Sequence, residues 1–577
     1  MTFLVAVAAG DGSAGSLEAH CATGVERREL SLVRHEDLVV VHAAGSRWVD
    51  AHDDDDVLVV LDGRLHSLGS EPGGQAAWLH ARYRSCGTDV ARGLLGDFVL
   101  VVLDRARHTL LVARDPLGVR PWYQAGAGRH HAGASDLATL ASLPWVGTAP
   151  DERIAIEYLA AATESLGPTL YRSIRTLRPG RTWHVRRGDV GTFAHHRWEL
   201  RPELDISWPD AAERCRSVLG QVVRDRLDPE GPVTCELSGG LDSSAVVGTV
   251  VLLGRPDDLT VGRLLFDTPR ADERIYSDAV IDHWGLEAVS SPPWIPTEEE
   301  CRELTRALRR PMPDPHFTMF AGLHRRLLER RQHYSLTGLG GDDAFVTCGI
   351  GGRVVSGFKL RQRAVVRDLA RSVGRNPRRA WTGLLKPTLH HLAPWRGDRL
   401  PGWVSSDAAA RAELPRLFRR RPERVTRVDA IDERIANLTS GYDACILETR
   451  AVLTDWFDRR ESHPYLDPRF VEATYGLDPW WPTRDGHTRA LEVEAFADRL
   501  PPLVARRQDK ADFPEVFWPQ LLDREVLARI RTGPLAELGW LDRAGFEDLV
   551  ANAKEGKADA AIPLSRCASL DRWLRTQ

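Results

Sequence analysis

The side chains best suited to chemistry stand together in one run, Cys235-Glu-Leu-Ser238-Gly239-Gly240-Leu241-Asp242-Ser243-Ser244. Glycines let the backbone approach a phosphate closely, serine hydroxyls donate hydrogen bonds to it, and a nearby carboxylate is a ligand that Mg²⁺ accepts. We therefore predict that Ser238–Ser244 bind the phosphates of ATP, that Asp242 holds Mg²⁺, and that ATP is split between its α and β phosphates. The alternative is an ordinary strand-turn-helix connection, because glycine and serine are frequent in turns.

The elements that flank this run are predicted to place it at the edge of a sheet. Residues 232–237 are typical of a short buried strand, and residues 243–247 of the first turn of a helix, whose N-terminus offers unpaired N–H groups to an anion. The run lacks the Gly-Lys-Ser or Gly-Lys-Thr of a Walker loop, which argues against a P-loop enzyme that transfers the γ-phosphate. It resembles the phosphate loop of the PP-loop ATP pyrophosphatases.

The composition limits the class of protein. At 577 residues the chain has room for two or more domains with real cores, and its net charge of -4 gives no reason to expect nucleic-acid binding. Its eight cysteines form no CxxC pair or cluster with metal-ligand spacing, so we expect reduced thiols and a cytoplasmic location. The first residues lack the basic region of a signal peptide, and no apolar run reaches membrane-spanning length, so a soluble protein is predicted.

The pattern changes near residue 200, and we predict two domains, at 1–200 and 201–577. The first has short apolar runs separated by Gly, Asp and Pro, which is typical of a layered β domain. In the second, apolar runs alternate with helical segments, which predicts a parallel sheet with ligands at the carboxyl ends of its strands. The predicted elements are strands at 57–61, 98–103 and 109–113 in the first domain, and a helix at about 210–226 with strands at 233–237, 259–266 and 334–337 in the second.

Further motifs, in the same order along the chain, resemble the glutamine-dependent asparagine synthetase superfamily. They are Leu95-Gly-Asp-Phe98, Ala113-Arg-Asp-Pro-Leu-Gly-Val-Arg-Pro121 with Tyr123, Ala134-Ser-Asp136, Ser238–Ser244, Leu336–Phe345, Glu461-Ser-His-Pro-Tyr-Leu-Asp467 and Arg507-Gln-Asp-Lys510-Ala-Asp-Phe513. The resemblance implies a mixed α/β and α+β protein. Its N-terminal domain would be glutaminase-like, of the N-terminal nucleophile hydrolase type, and its C-terminal domain would be a parallel-sheet ATP pyrophosphatase with helical elaborations.

The same resemblance implies roles for individual residues. Asp242 and Asp342 would be the metal-binding pair, Lys510 would contact the α-phosphate and the oxyanion formed during acyl transfer, and Arg507 would assist at the phosphates. The further residues expected to contact ATP are Phe266, Gly338, Gly340 and Gly341. A solvated acid pair at Asp342-Asp343 and an ordinary surface lysine at position 510 are the alternatives.

The first domain departs from the family where glutamine would be hydrolysed. The family needs a cysteine exposed as the mature first residue, whereas Thr2 follows Met1 here and Cys21 lies too deep in the sequence. The family's Asn-Gly-Glu segment, which helps to bind glutamine, is Asp62-Gly63-Arg64. Threonine is an N-terminal nucleophile in other enzymes. Because both features have changed, we predict an inactive glutaminase-like domain that is retained for structure.

A second departure lies at Leu339. Asparagine synthetases have a glutamate there that handles the nucleophile, and β-lactam synthetases have a tyrosine linked to a second glutamate. Leucine can do neither. Glu461 is predicted as a catalytic acid and His463 as a group that could accept a proton at neutral pH, with a structural role as the alternative for each.

Without ammonia from glutamine, the attacking amine is free ammonia or belongs to the substrate. β-Lactam synthetases, carbapenam synthetases and lasso-peptide cyclases share this loss. An insertion rich in Arg and Trp at about 351–430 includes Pro401-Gly-Trp403-Val, which resembles a segment of lasso-peptide cyclases. Aromatic and arginine side chains suit a peptide-binding surface; a solvated helical elaboration and a nucleic-acid surface are the alternatives.

We therefore predict an ATP- and Mg²⁺-dependent ligase that adenylates an Asp or Glu side chain of a precursor peptide and closes a macrolactam with the N-terminal amine. The expected partners are that peptide, a leader peptidase and a leader-binding protein, with no nucleic acid and no membrane span. One alternative is an asparagine-synthetase-like or β-lactam-synthetase-like ligase that uses ammonia or a small amine. The other is a non-enzymatic peptide-binding scaffold.

Overall fold

The computed structural model describes most of the chain. The described residues are 4–8, 30–66, 73–161, 167–186, 188–198, 205–227, 231–312, 318–345, 400–417, 435, 438, 441–477, 489–507, 511 and 513–577, with the backbone alone for 4–8 and 441–445. Thr2, Lys510 and most of the predicted insertion at about 351–430 lie outside them.

The first region forms two six-stranded antiparallel sheets. The order of one is β10-β8-β9-β1-β3-β2, and that of the other is β12-β11-β7-β6-β5-β4. The elements are β1 Leu4–Ala8, β2 Leu30–His35, β3 Leu38–Ala43, β4 Val49–Asp53, β5 Val57–Leu65, α1 Gly74–Cys86, β6 Gly96–Asp104, β7 Thr109–Arg114, β8 Tyr123–Ala127, β9 His130–Ala134, α2 Leu137–Ala141, α3 Glu152–Leu159, β10 Ile174–Thr176, β11 Arg181–Arg186 and β12 Asp189–Ala194, with a 3₁₀ turn at Gly87–Ala91.

Strand β6 shows why these sheets stack. Val99 and Val101 pack with Val40 of the other sheet, whereas Leu100 and Val102 belong to the core that includes α1. A strand that is covered on both faces needs an unbroken apolar run. The predicted layered β domain is confirmed, and the predicted strands at 57–61, 98–103 and 109–113 lie within β5, β6 and β7.

The second region is built on a five-stranded parallel sheet in the order β15-β14-β13-β16-β17. Its elements are α4 Trp208–Arg226, β13 Val233–Glu236, α5 Leu241–Leu252, β14 Leu259–Leu264, α6 Arg274–Trp284, β15 Glu287–Ser291, α7 Glu298–Leu308, α8 Ala321–Glu329, β16 Tyr334–Leu336, α9 Gly341–Phe345, α10 Ser406–Arg411, α11 Leu414–Leu417, α12 Gly441–Trp456, β17 Arg460–Ser462, α13 Pro468–Tyr475, α14 Ala490–Ala495, α15 Pro502–Ala505, α16 Pro514–Leu521, α17 Arg524–Thr532, α18 Pro534–Glu537, α19 Arg543–Lys554 and α20 Ala561–Leu574, with 3₁₀ turns at Pro464–Leu466 and Ala558–Ala560.

The parallel sheet and the mixed fold class are confirmed. Strands β13, β14 and β16 and helix α4 lie where the sequence predicts them, to within two residues. Strands β15 and β17 were not predicted, because their sequences, Glu-Ala-Val-Ser-Ser and Arg-Glu-Ser, are short and largely polar. The domain boundary near residue 200 stays a prediction.

Buried ion pairs join the two regions. Arg460 donates to Asp62 at 2.7 Å and lies 3.2 Å from Asp455. Arg120 contacts the same two acids, at 3.3 Å from Asp62 and 2.9 Å from Asp455. All four side chains are less than a tenth exposed. Asp62 begins the segment to which the resemblance assigns glutamine binding, and here it holds an arginine of the second region.

None of the described helices is both long enough and apolar enough to span a bilayer.

Candidate active site

The phosphate loop, Ser238–Ser244, connects β13 to α5 at the carboxyl edge of the parallel sheet. The Ser238 hydroxyl accepts a hydrogen bond from the Gly240 N–H at 3.2 Å and lies 3.1 Å from the Ser243 hydroxyl. Within the described part of the chain, no side chain caps the N-terminus of α5. The two serines therefore fix the shape of the turn and leave the first N–H groups of the helix for an anion.

Two glycines let this loop meet its neighbours. Gly239 has φ +84°, and a Cβ there would lie 2.6 Å from the backbone nitrogen of Ser277 in α6. A Cβ on Gly338 would lie 2.6 Å from the backbone nitrogen of Ser243. Side chains at either position would force the backbones apart. The loop after β16 therefore packs directly on the phosphate loop, which brings the predicted nucleotide-binding residues Gly338, Gly340 and Gly341 to the same place.

The predicted metal ligands Asp242 and Asp342 share one guanidinium. Arg489 donates through Nη1 to Asp342 at 2.9 Å and through Nη2 to Asp242. Gly341 is required here because a Cβ on it would overlap the Asp242 carboxylate. The two carboxylates converge on the positively charged guanidinium of Arg489, and carboxylate oxygens are the ligands that Mg²⁺ uses. The residues present therefore fit the metal.

Glu492 adds a third acid to this cluster. It is fully buried in α14 and forms an ion pair with Arg489, whose Nε lies 2.7 Å from Glu492 Oε2. Burial raises the pKa of Glu492 well above its usual range. Burial also raises the pKa of Asp242, with Arg489 opposing the rise and Asp342 adding to it. Because Arg489 already offsets part of the charge of these acids, a second cation is favoured most when it brings further negative charge with it.

Arg507 lies beside the phosphate loop. Its guanidinium donates to the Gly239 carbonyl at 3.3 Å, pairs with Glu273 at 2.7 Å and lies over the Tyr276 ring, 4.1 Å from the centroid. These contacts fix a positive charge next to the turn that would bind phosphate. Lys510, three residues further on, lies outside the described residues, and its role stays a prediction.

The phosphate loop and the loop that follows β16 line a cavity of about 200 Å³. Phe266 and Phe513 line one part of it, with ring centroids 5.2 Å apart, and form an apolar wall that suits a nucleotide base. The cavity is lined by Glu236, Leu237, Ser238, Asp242, Ser243, Gly262, Arg263, Leu264, Phe266, Glu273, Met319, Phe320, Thr337, Gly338, Leu339, Arg450 and Phe513. Predicted phosphate, metal and adenine contacts thus open onto one space.

Glu461 and His463 lie behind the wall of this cavity. The Nδ1 of His463 is 2.7 Å from the Thr337 hydroxyl, and burial lowers the pKa of His463 to about 4. The ring is therefore uncharged at neutral pH, which favours the structural alternative for His463. Glu461 accepts a hydrogen bond from Arg450 Nε at 2.7 Å, and Arg450 itself lines the cavity.

The charged side chains of the site that were not predicted include Glu236, Arg450, Arg489 and Glu492. Glu236 left a signal in the sequence, since it is an acid at the end of an otherwise apolar strand, directly before the phosphate loop. The other three left none, because they come from segments more than 200 residues away that only the fold brings to this edge of the sheet.

Comparisons with known proteins agree with this architecture. The family model "Asparagine synthase" matches residues 214–575, and the model "Glutamine amidotransferase domain" matches residues 75–198. The first match spans more than half of the chain and contains the phosphate loop, Asp342 and Arg507.

Individual relatives match shorter stretches. Asparagine synthetase [glutamine-hydrolyzing] 3 of Bacillus subtilis is 25% identical over 230 residues, 37% of each chain. A putative asparagine synthetase of Methanocaldococcus jannaschii is 24% identical over 251 residues, 41% of this chain and 48% of the relative. Amidase chry2 of Gibberella zeae is 27% identical over 182 residues, 30% of this chain and 25% of the relative. The alignments thus span less than half the length of these relatives.

The family match covers the parallel sheet, its carboxyl edge and the helices that follow, and the second model covers much of the layered β region. The predicted superfamily is confirmed, and the predicted class of enzyme, an AMP-forming carbon–nitrogen ligase, is the class to which that superfamily belongs. This chain is a member of the asparagine synthase family.

Proposed function

We propose that this protein is an ATP-dependent, AMP-forming ligase that activates an Asp or Glu side chain of a precursor peptide and joins it to the peptide's own N-terminal amine. The product is a macrolactam, as in lasso peptides. The observation that carries the proposal is that the phosphate loop and the wall residue Leu339 line one cavity. Arg507 is hydrogen-bonded to this loop, and Arg489 joins Asp342 to Asp242.

The activation half of the reaction is supported by the phosphate loop and the charges beside it. Asp242 and Asp342 would hold Mg²⁺, which neutralises charge on the pyrophosphate when it is bound. The N-terminus of α5 and Arg507 supply positive potential to the phosphates. Phe266 and Phe513 exclude water from the base. A side-chain carboxylate placed beside the α-phosphate would then displace pyrophosphate.

Two residues, Asp62 and Leu339, bear on the source of the attacking amine. Asp62, at the position tied to glutamine binding by the resemblance, is buried, and each of its carboxylate oxygens is ion-paired with an arginine, Arg460 or Arg120. Leu339 puts an apolar side chain in the cavity where asparagine synthetases have a glutamate. Both features support an amine that the substrate itself carries.

We also propose two partner proteins and a cytoplasmic location. A peptide with a free N-terminus must be released from its leader, which calls for a leader peptidase and a leader-binding protein. Cys235, Cys301 and Cys567 are buried free thiols, which suits a reducing cytoplasm where ATP is available.

The test is incubation of the purified protein with Mg-ATP and the linear core of a short precursor peptide encoded beside its gene. We expect mass spectrometry to show the loss of one water from the peptide, with AMP and pyrophosphate formed in equal amounts. Parallel reactions contain aspartate with ammonium, and aspartate with glutamine. Pyrophosphate release with aspartate and ammonium but not with the peptide would replace the cyclase by an ammonia-dependent ligase.

A further inference from the structure

Two glutamates meet beneath the cavity. Glu236 ends strand β13, two residues before the phosphate loop, and lines the cavity; Glu461 lies in β17. The register Cys235↔Leu336 and Leu336↔Ser462 places these two glutamates two residues apart along the sheet. Because strand side chains alternate between faces, a separation of two puts both carboxyls on the same face.

One arginine binds both carboxyls. Arg450, from helix α12, donates through Nη2 to Glu236 Oε2 at 2.7 Å and through Nε to Glu461 Oε2 at 2.7 Å. All three side chains are about nine-tenths buried or more. Arg450 also lies against the ring of Phe320, 4.9 Å from its centroid. The two glutamates are therefore held rigidly at the wall of the cavity.

A histidine completes the cluster without making it a metal site. Ligand atoms of Glu236, His324 and Glu461 lie within 4.8 Å of one another. However, Arg459 donates to His324 Nδ1 at 2.7 Å, which leaves the ring proton on Nε2, 3.4 Å from Glu461 Oε1. The ring therefore has no lone pair left for a metal. The guanidinium of Arg450 already fills the space between the carboxylates.

Each glutamate keeps one oxygen for a proton. The Oε1 atoms of Glu236 and Glu461 are buried and, among the described residues, receive no hydrogen bond. Burial of two acceptors without a donor is costly. One proton held between the two carboxyls would satisfy both oxygens, as in other paired acids.

The charges around the pair agree with a single shared proton. Burial raises the pKa of Glu461 to about 8, with Glu236 adding to the rise and Arg450 opposing it. Burial would also raise the pKa of Glu236, but Arg450 and His324 bring it down to about 2. Arg450 and Arg459 face the pair with positive charge, and the uncharged rings of His324 and His463 lie beside it.

We propose that Glu236 is the catalytic group that takes the proton from the attacking amine, and that Glu461 stores this proton behind it. This assignment rests on the proposed ligase function and names the amine-handling group that Leu339 cannot provide. Glu236 reaches the substrate because it lines the cavity. Glu461 acts through Glu236 and is a positioning residue.

Amide formation begins when the substrate ammonium loses a proton to the glutamate pair. The electrons of that N–H bond stay on nitrogen as a lone pair. The lone pair forms the new C–N bond at the carbonyl carbon of the acyl adenylate, while the C–O bond to AMP breaks. The second proton leaves nitrogen with the AMP phosphate. The accepting form is the fully ionised pair, which becomes available as the pH approaches the pKa of Glu461, about 8. An α-amino group also titrates near pH 8, so its proton affinity matches that of the ionised pair.

The experiment separates the two halves of the reaction in Glu236→Gln. Adenylation is followed by exchange of labelled pyrophosphate into ATP, and ligation by amide formation. We expect exchange within about threefold of wild type and amide formation at least about 100-fold slower, which is the usual contribution of a general base. Hydroxylamine, which is largely uncharged at neutral pH, needs no base, and we expect it to trap the acyl adenylate at the wild-type rate.

Two further glutamate-to-glutamine variants are compared with Glu236→Gln. Glu461→Gln should behave like Glu236→Gln, and it decides the question if Glu236→Gln does not fold. Glu157→Gln removes a buried glutamate of α3 that does not line the cavity, and it should leave both half-reactions unchanged. Parallel loss of exchange and ligation, or ligation at the wild-type rate, would overturn the assignment.

Failure of the cyclase itself gives a different result. If wild type catalyses exchange with aspartate but not with the peptide, the macrolactam function is wrong, and the glutamate pair is tested with aspartate and ammonium instead. Ammonium must also lose a proton, so the same variants and the same hydroxylamine rescue apply.

Discussion

The guanidinium of Arg489 is hydrogen-bonded to the carboxylate of Asp242, across 247 residues of sequence. The same arginine reaches Asp342, so each of the two predicted metal ligands has a protein cation on it. Mg²⁺ entering this position must therefore compete with Arg489 or join it. Arrival together with ATP is favoured, because the triphosphate brings the negative charge that a second cation requires.

Removing this arginine should uncouple metal binding from nucleotide binding. In Arg489→Met, the acids around Asp242 lose their counter-charge, so we expect Mn²⁺ to bind without ATP in electron paramagnetic resonance titrations. Pyrophosphate exchange should fall by about 100-fold, since the two metal ligands lose the side chain that positions them. Arg469→Met removes an arginine that bridges Asp467 and Asp225 instead, and it should show neither effect. Unchanged exchange in Arg489→Met would contradict this role.

A single methyl group should displace the metal ligand. In Gly341→Ala the new Cβ would overlap the Asp242 carboxylate, and a misplacement of about 1 Å can cost about 100-fold in rate. We expect pyrophosphate exchange to fall by that factor while circular dichroism stays unchanged. Gly220→Ala is the control, since its Cβ meets nothing within 4 Å in helix α4 and should stabilise the protein by about 0.5–1 kcal/mol. Normal exchange in Gly341→Ala would show that Asp242 can move without loss.

The interface between the two regions should depend strongly on Asp62. Asp62→Ala leaves Arg460 and Arg120 short of negative charge in a buried place, and breaking such a pair costs about 3–5 kcal/mol. Urea denaturation measures this loss. Arg47→Ala removes an exposed ion pair with Asp458 and should change the free energy of unfolding by less than about 1 kcal/mol. Equal effects of the two substitutions would mean that the buried network contributes little.

The contribution of Glu461 to the stability of the protein should fall as the pH rises from 5 to 8. The pKa of Glu461 is raised in the folded state, so its contribution is complete below the usual glutamate range and is lost as the pH passes about 8. The lowered pKa of Glu236 affects the free energy of unfolding only at lower pH. There the stability that Glu236 contributes is lost as the solution is acidified. We therefore expect the urea midpoint of Glu461→Gln, taken relative to that of wild type, to rise with pH in this window. A slope equal to that of wild type would mean that Glu461 is ionised throughout.

Much of the fold could be predicted because its strands carry clear patterns. The apolar run 98–103 needed burial on both faces, and the runs at 233–237 and 259–266 alternate with helices. Strand β17 gave no such signal, since its sequence is Arg460-Glu-Ser462. Its polar side chains are buried against partners from other segments, and a sequence does not reveal such compensation.

The site could be predicted in the part that is local in sequence. The phosphate loop carries its chemistry within seven residues, and Asp342 and Arg507 were placed by motifs. Arg489 was not predicted, because nothing near it in sequence indicates that it meets Asp242. Glu236 and Glu461 become a pair only through the register of three strands and the position of Arg450.

The contact between Asp62 and Arg460 bears on how such a protein can change over generations. The two residues of a buried ion pair are constrained together, because a substitution of one leaves the other as a buried charge without its partner. A shortened gene that encoded the second region alone would leave Arg460 beside Asp455 at a newly solvated surface, together with the apolar area around it. Selection against misfolding would therefore preserve the layered β region whether or not it still performs a reaction of its own.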